Sequence, residues 1–183
     1  MTDEELVNGC VAQDKITQQL LFDRFKRKMM GVCLRYSDRR EEAEDIFQNG
    51  FVRVFENIKT FKGLGSLEGW VRRIMVNEAL TYIRKNKAMK LNVDIDKVEY
   101  MLPGGNLISE SMNAKDLLNI IQKLPIGFRT VFNLYAIEGY SHKEIAMQLG
   151  ISEGTSQSQY ARARVHLQKM VLTEKTAWSQ TIT

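Results

Sequence analysis

Apolar residues recur at intervals of three and four along most of the chain, and the rhythm breaks at a few polar or glycine-bearing points. Between Ile16 and Tyr36 the series is Leu20, Leu21, Phe25, Met29, Met30, Val32, Cys33 and Tyr36, which predicts a long amphipathic helix. Basic Arg24, Lys26, Arg27 and Lys28 take its other face. A short helix through about Val11 precedes it, because Thr2 and Glu5 have the spacing of a capping box. Ser37-Asp38 breaks the pattern, and Asp38 with Glu41 is expected to cap a third helix, Arg40 to about Lys59. Its inward set is Ala43, Ile46, Phe47, Phe51, Val54, Phe55 and Ile58. Thr60 to Leu67 carries two glycines and a lysine and reads as a loop. Ser66 then caps a fourth helix with Leu67, Trp70, Val71, Ile74, Met75, Ala79, Leu80 and Ile83 as apolar positions.

The rhythm stops between Lys87 and Asn113, where Asn92-Val93-Asp94-Ile95-Asp96 and Pro103-Gly104-Gly105 predict a flexible linker. It resumes at Ala114 with the stripe Leu117, Leu118, Ile121 and Leu124. Pro125 stands near the start of the next helix, where a missing amide is tolerated, and Gly139 ends that helix. Ser141 and Glu144 form a second capping box; Ile145, Ala146 and Leu149 follow, and Gly150 suits a helix C-terminus. Ile151 plugs the core across the turn, and Ser152 caps another helix. Two short helices joined by a tight glycine turn are a helix-turn-helix. In the second, Ser156, Tyr160, Ala163 and Leu167 should pack inward, leaving Gln157, Ser158, Ala161, Arg162 and Arg164 outward. Gln pairs bidentately with adenine and Arg with guanine, and either holds phosphate. After Leu172 the periodicity weakens and fraying is expected. The fold class is therefore all-α: a helical bundle over residues 1–87, a linker over 88–113, a helix-turn-helix domain over 114–172 and a tail over 173–183.

Composition narrows the options modestly. Of the 183 residues 44% are hydrophobic and 26% charged, ordinary for a folded protein. A net charge of +4 permits nucleic-acid binding without requiring it. Cys10 and Cys33 lie in apolar helical contexts without metal-ligand spacing, as reduced core thiols do. Neither a signal peptide nor an apolar membrane span is visible, so a cytoplasmic protein without membrane insertion is expected. No nucleophile–histidine pairing, phosphate-cradling loop or metal-ligand cluster stands out, so neither enzyme activity nor a cofactor is expected.

The third helix begins with Glu41, Glu42, Glu44 and Asp45. Acids belong in a first helical turn, and they also make a docking surface for a basic partner. A di-iron site is excluded, because it needs Glu-x-x-His pairs and this half of the chain has no histidine. The polar side of the fourth helix holds Arg72, Arg73, Asn77, Arg84, Lys85 and Lys87, so it is basic throughout. Such residues beside Trp70 and a flexible loop suit single-stranded nucleic acid, although Trp70 is also spaced as a core residue.

These blocks, in this order, resemble one family. Arg40-Glu41-Glu42-Ala43-Glu44 followed by Asp45-Ile46-Phe47-Gln48-Asn49-Gly50-Phe51-Val52-Arg53-Val54-Phe55 is similar to the second helical region of extracytoplasmic-function (ECF) sigma factors. Trp70-Val71-Arg72-Arg73-Ile74-Met75-Val76-Asn77-Glu78-Ala79 resembles their promoter-melting helix, and the Leu124–Arg164 blocks resemble their C-terminal domain. The resemblance implies a promoter-specificity subunit of bacterial RNA polymerase. It implies docking of Asp45, Gln48, Phe51, Val52 and Phe55 on the beta-prime clamp of core RNA polymerase, with the beta flap a further contact of that partner. It implies −10 promoter DNA contacts by Lys62, Gly63, Leu64, Trp70, Arg72, Arg73, Asn77, Arg84 and Lys85, with a base extruded into a pocket of the Lys62–Leu67 loop. It implies −35 contacts by Ser141, Thr155, Gln157, Ser158, Gln159, Arg162 and Arg164, with Arg162 expected on phosphate. An anti-sigma factor is an implied partner. This chain departs from the family's usual pattern at Ser156, Gln157 and Gln159, at Tyr135 and at Thr81. The main rival is a helix-turn-helix regulator acting without polymerase, which leaves the first domain unexplained. A helical interaction protein that binds no DNA is a third class, opposed by the basic Arg72–Lys87 helix.

Overall fold

The computed structural model describes the backbone of residues 1–91 and 114–181 and the side chains of 1–86 and 116–172. The described residues form eight α-helices in two compact units, Met1–Asn86 and Lys87–Thr183, as the all-α expectation requires. The expected linker falls largely outside the described residues.

In the first unit α1 spans Asp3–Val11, α2 Lys15–Tyr36, α3 Arg40–Asn57 and α4 Leu67–Leu91, with a 3-10 turn at Ile58–Thr60. The Thr2–Glu5 capping box is fully formed: Glu5 N–H donates to the Thr2 hydroxyl, and Thr2 N–H donates to the Glu5 carboxylate at 2.7 Å. Asp14 caps α2 through the amides of Ile16 and Thr17. The core gathers Leu21, Phe25, Met29 and Val32 of α2, Ile46 and Val54 of α3, and Leu67, Val71, Met75 and Ile83 of α4.

Two details correct the sequence reading. Asp38 does not cap α3. The cap position is Arg39, which makes no side-chain capping bond, and buried Glu42 reaches back to accept the Asp38 N–H at 3.0 Å. Glu42 is the third helical residue, where a carboxylate can turn towards the free amides, whereas Glu41 points to solvent. Helix α4 also continues to Leu91, past the expected boundary at residue 87.

In the second unit α5 spans Ala114–Gln122, α6 Ile126–Phe132, α7 His142–Leu149 and α8 Glu153–Thr181. A π turn, Asn133–Ile137, prolongs α6, with Glu138 N–H bonded to Asn133 O at 2.9 Å. The core is Ile120, Ile121, Leu124, Phe128, Phe132, Ala163 and Leu167. Pro125 stands at the cap of α6 itself, and its carbonyl accepts the Arg129 N–H at 2.9 Å. Gly150 ends α7 at φ 68°, the left-handed conformation that lets the amides of Gly150 and Ile151 both close on Ala146 O. The tail is helical to Thr181 rather than frayed from Leu172; Trp178 lies outside the described side chains.

Candidate polymerase and nucleic-acid interfaces

Three surfaces carry the residues singled out in the sequence. The first is the outer side of α3. Asp45, Gln48 and Val52 are exposed there, Val52 by 56%, and Phe55 is half-buried. Phe51 is not on the surface: it is 4% exposed and forms the floor of a groove with Phe22 and Phe47. These rings meet at 4.8–5.8 Å between centroids, tilted or edge-on, the arrangement their quadrupoles favour. Phe51 therefore supports the exposed face of α3 from beneath. Of the acids, Glu42 is buried, Glu44 pairs with Arg40 at 2.9 Å, and Asp45 is exposed.

The second surface surrounds Trp70. Gly63 at φ 68° turns the loop and leaves Leu64 92% exposed at its apex. Phe61 stands edge-on to Trp70 at 5.7 Å, and a hollow opens between Lys62, Leu64, Trp70 and Arg73. A second hollow lies on the α3 side of Trp70, walled by Arg53, Asn57, Ile74, Asn77, Glu78 and Thr81. Trp70 is thus half-buried between two cavities, neither plain core nor plain surface. Arg73, Asn77, Arg84 and Lys85 are exposed, and Arg72 is half-buried. Sequence reasoning missed Arg53, Asn57 and Glu78. Arg53 Nε donates to Glu78 Oε2 at 2.6 Å, tying α3 to α4 across the floor. A pair separated by 25 residues has no local signature.

The third surface is the helix-turn-helix. The Ser141–Glu144 box is formed in both directions, and Ser152 Oγ accepts the Thr155 N–H at 3.0 Å. Gln157 is exposed; Thr155, Ser158 and Arg164 are half-buried. Ser156 is fully buried, as its place in the stripe predicts. Gln159 and Arg162 do not face outward: they are 5% and 7% exposed. They lie about 60° and 120° round the cylinder from Ser156, on the side opposite Gln157. There the buried stripe widens to meet α6, and the Arg162 guanidinium lies 6.0 Å from the Phe128 ring centroid. Behind α8, His142 stacks on Tyr135 at 4.2 Å and 11°, and its Nδ1 lies 2.9 Å from Ser156 Oγ. Burial pushes the His142 pKa below its ordinary value, with Glu153 acting weakly the other way. His142 was not singled out in the sequence.

One unit that carries a helix-turn-helix, and another that is a helical bundle with a basic, aromatic-lined cleft, are the architecture of a DNA-binding transcription protein. Comparison with known proteins sharpens this. A family model described as Sigma-70 region 2 matches residues 21–89, and one described as Sigma-70, region 4 matches residues 114–167. An ECF RNA polymerase sigma-E factor from Haemophilus influenzae is 27% identical, the match covering 93% of this chain and 96% of that one. ECF RNA polymerase sigma factor SigE of Mycolicibacterium smegmatis is 33% identical over 74% of this chain and 54% of its own length. Among solved structures, the sigma factor RpoE in complex with the anti-sigma factor NepR from Bartonella quintana aligns with a TM-score of 0.50 at 21% identity, covering 84% of this chain and 95% of that chain. The chain belongs to the ECF sigma factors of bacterial RNA polymerase. Its function is to direct transcription initiation. A regulator acting without polymerase is not favoured, because it leaves the region 2 match without a role. Among the described residues, no helix is long and apolar enough to cross a membrane.

Proposed function

We propose that the three surfaces divide the labour of promoter opening without bond chemistry by the protein itself. The exposed face of α3, Asp45, Gln48, Val52 and Phe55 over a floor of Phe51, docks on the beta-prime clamp of core polymerase. A central apolar patch with a polar rim suits a protein partner. The loop Lys62–Ser66 and the cleft beside Trp70, Arg73 and Asn77 take the melted −10 strand. Arg72, Arg84 and Lys85 flank it along the basic helix. The helix-turn-helix reads the −35 duplex, with Gln157 foremost and Thr155, Ser158 and Arg164 beside it. The second unit also contacts the beta flap, and an anti-sigma factor holds the protein inactive.

The observation that carries this reading is Trp70, half-buried between two hollows, one of them also walled by a 92% exposed leucine. An aromatic wall with open space on each side is what an unstacked base needs, and cations nearby meet its phosphates. The test is run-off transcription with core polymerase lacking any sigma, on a genomic promoter-fragment library. Discrete start sites sharing a pair of upstream elements are expected. The reading fails if core polymerase neither binds the protein nor initiates.

A further inference from the structure

Helix α1 lies outside the Sigma-70 region 2 match, which begins at residue 21, yet it shares a hollow with the Lys62–Ser66 loop and contacts the start of α4. The contact centres on Asp3. Its Oδ2 accepts the backbone N–H of Leu67 at 3.3 Å, and its Oδ1 accepts from Arg24 Nη2 at 3.1 Å. Leu67 is the first residue of α4, where backbone N–H groups have no partner within the helix. The local cap, Ser66 Oγ, serves Gly69 at 3.1 Å. The amide of Leu67 is left for an oxygen acceptor on another element, and Asp3 supplies it. Across a shallow hollow, Asp3, Glu4 and Val7 face Phe61, Lys62 and Gly63 of the loop.

We propose that Asp3 is a positioning residue for capture of the melted strand, with α1 a strut that fixes the exit of the Lys62–Ser66 loop by capping α4. The proposal rests on the reading of that loop as the −10 contact. The Leu67 side chain is fully buried, so the α4 side of the junction is anchored in the core. On the other side the loop leaves the 3-10 turn at Thr60. Between these points Gly63 and Gly65 leave the backbone free to move, and Asp3 removes that freedom at the junction itself. Trp70 is one turn further on, with its N–H bonded to Ser66 O at 3.1 Å, so the cap sets the height of Leu64 and Lys62 over the indole. The Arg24 pair, with both side chains more than two-fifths exposed, orients the carboxylate and adds little binding of its own.

The test uses holoenzyme assembled from the full chain and core polymerase. The probe is an end-labelled single-stranded oligonucleotide enriched by the wild-type holoenzyme from a random pool. Asp3→Ala should weaken its binding roughly three- to tenfold, the range of one lost hydrogen bond. Asp3→Asn, whose carbonyl still accepts from Leu67, should stay close to wild type, as should Arg24→Ala. Asp3→Ser, too short to reach, should match Asp3→Ala. Amide exchange at Leu67 should accelerate in the Ala and Ser variants alone, and retention of duplex −35 DNA should not change. Wild-type oligonucleotide affinity in Asp3→Ala or Asp3→Ser overturns the proposal. So does an Asn variant as weak as Ala, which would assign the effect to charge. Trp70→Ala separates the two levels. If it abolishes oligonucleotide binding while Asp3→Ala keeps wild-type affinity, the strut alone is wrong; if Trp70→Ala too has no effect, the loop reading falls with it.

Discussion

The imidazole of His142 and the hydroxyl of Ser156 meet at 2.9 Å, joining the first residue of α7 to the buried side of α8. Tyr135 stacks on one side of that imidazole, and Tyr160 lies 5.8 Å away at a tilt. The lowered pKa means that the unfolded chain binds the His142 proton more readily than the folded one. His142 therefore favours folding fully only above the ordinary histidine value of about 6.5, and that contribution is lost as pH falls through it towards the lowered value. The urea midpoint of the second unit should fall between pH 7 and pH 5, and His142→Gln should flatten that segment. An unchanged slope in the Gln variant would remove His142 as the cause.

Gln157 and Arg162 should separate recognition from stability. Gln157→Ala should cost about 1–3 kcal/mol at one base position and leave the denaturation midpoint unchanged. Arg162→Ala should lower stability by about 1–3 kcal/mol, because it removes a buried side chain packed by Phe128. Promoter-library selection and urea titration on both variants decide this. An Arg162→Ala protein of full stability that binds all duplexes uniformly less well would restore the phosphate role expected from sequence.

Val52 and Phe51, neighbours in sequence, should give opposite phenotypes. Val52→Lys places a charge on the exposed face and should weaken core polymerase binding by about 1–2 kcal/mol without shifting thermal unfolding. Phe51→Ala should cost about 3–5 kcal/mol of stability, since it empties the centre of the aromatic cluster. Polymerase titration and calorimetry on the pair provide the check; equal polymerase affinity for Val52→Lys and wild type would move the docking face elsewhere.

Gly50 packs where α3 crosses α4. A methyl group added there would overlap the sulfur of Met75, which is fully buried. Gly50→Ala should gain helix propensity of nearly 1 kcal/mol and lose about 1–3 kcal/mol to overpacking, a net destabilisation. In a Met75→Ala background the same substitution should be neutral or stabilising. A double-mutant cycle by urea denaturation reads the coupling directly, and additive effects would contradict the close approach.

What the sequence made legible was local. The boxes Thr2–Glu5 and Ser141–Glu144 obey a rule spanning three residues, and both form. Gly150 advertises its left-handed turn because few other residues tolerate one. The errors arose where tertiary packing chose between local options. Glu42 displaced Asp38 at the start of α3, and Arg162 was drawn inward by Phe128, which no window along α8 contains. The π turn at Asn133–Ile137 keeps an apolar spacing close to that of an ordinary helix, so periodicity hides its extra residue. The cleft was half visible: Trp70, Arg73 and Asn77 share one helix, but Arg53 and Asn57 arrive from another.

The bond from Asp3 to Leu67 spans 64 residues, and it has a consequence for the order of events on the ribosome. At about 5–20 residues per second, α1 is made roughly 3–13 s before the amide it will hold. For the later part of that interval, once Arg24 has been made, its acidic first turn has the arginine but not its helix partner. The clasp between α1 and α4 therefore closes only after the intervening helices have emerged, which makes it a late step in the maturation of the first unit.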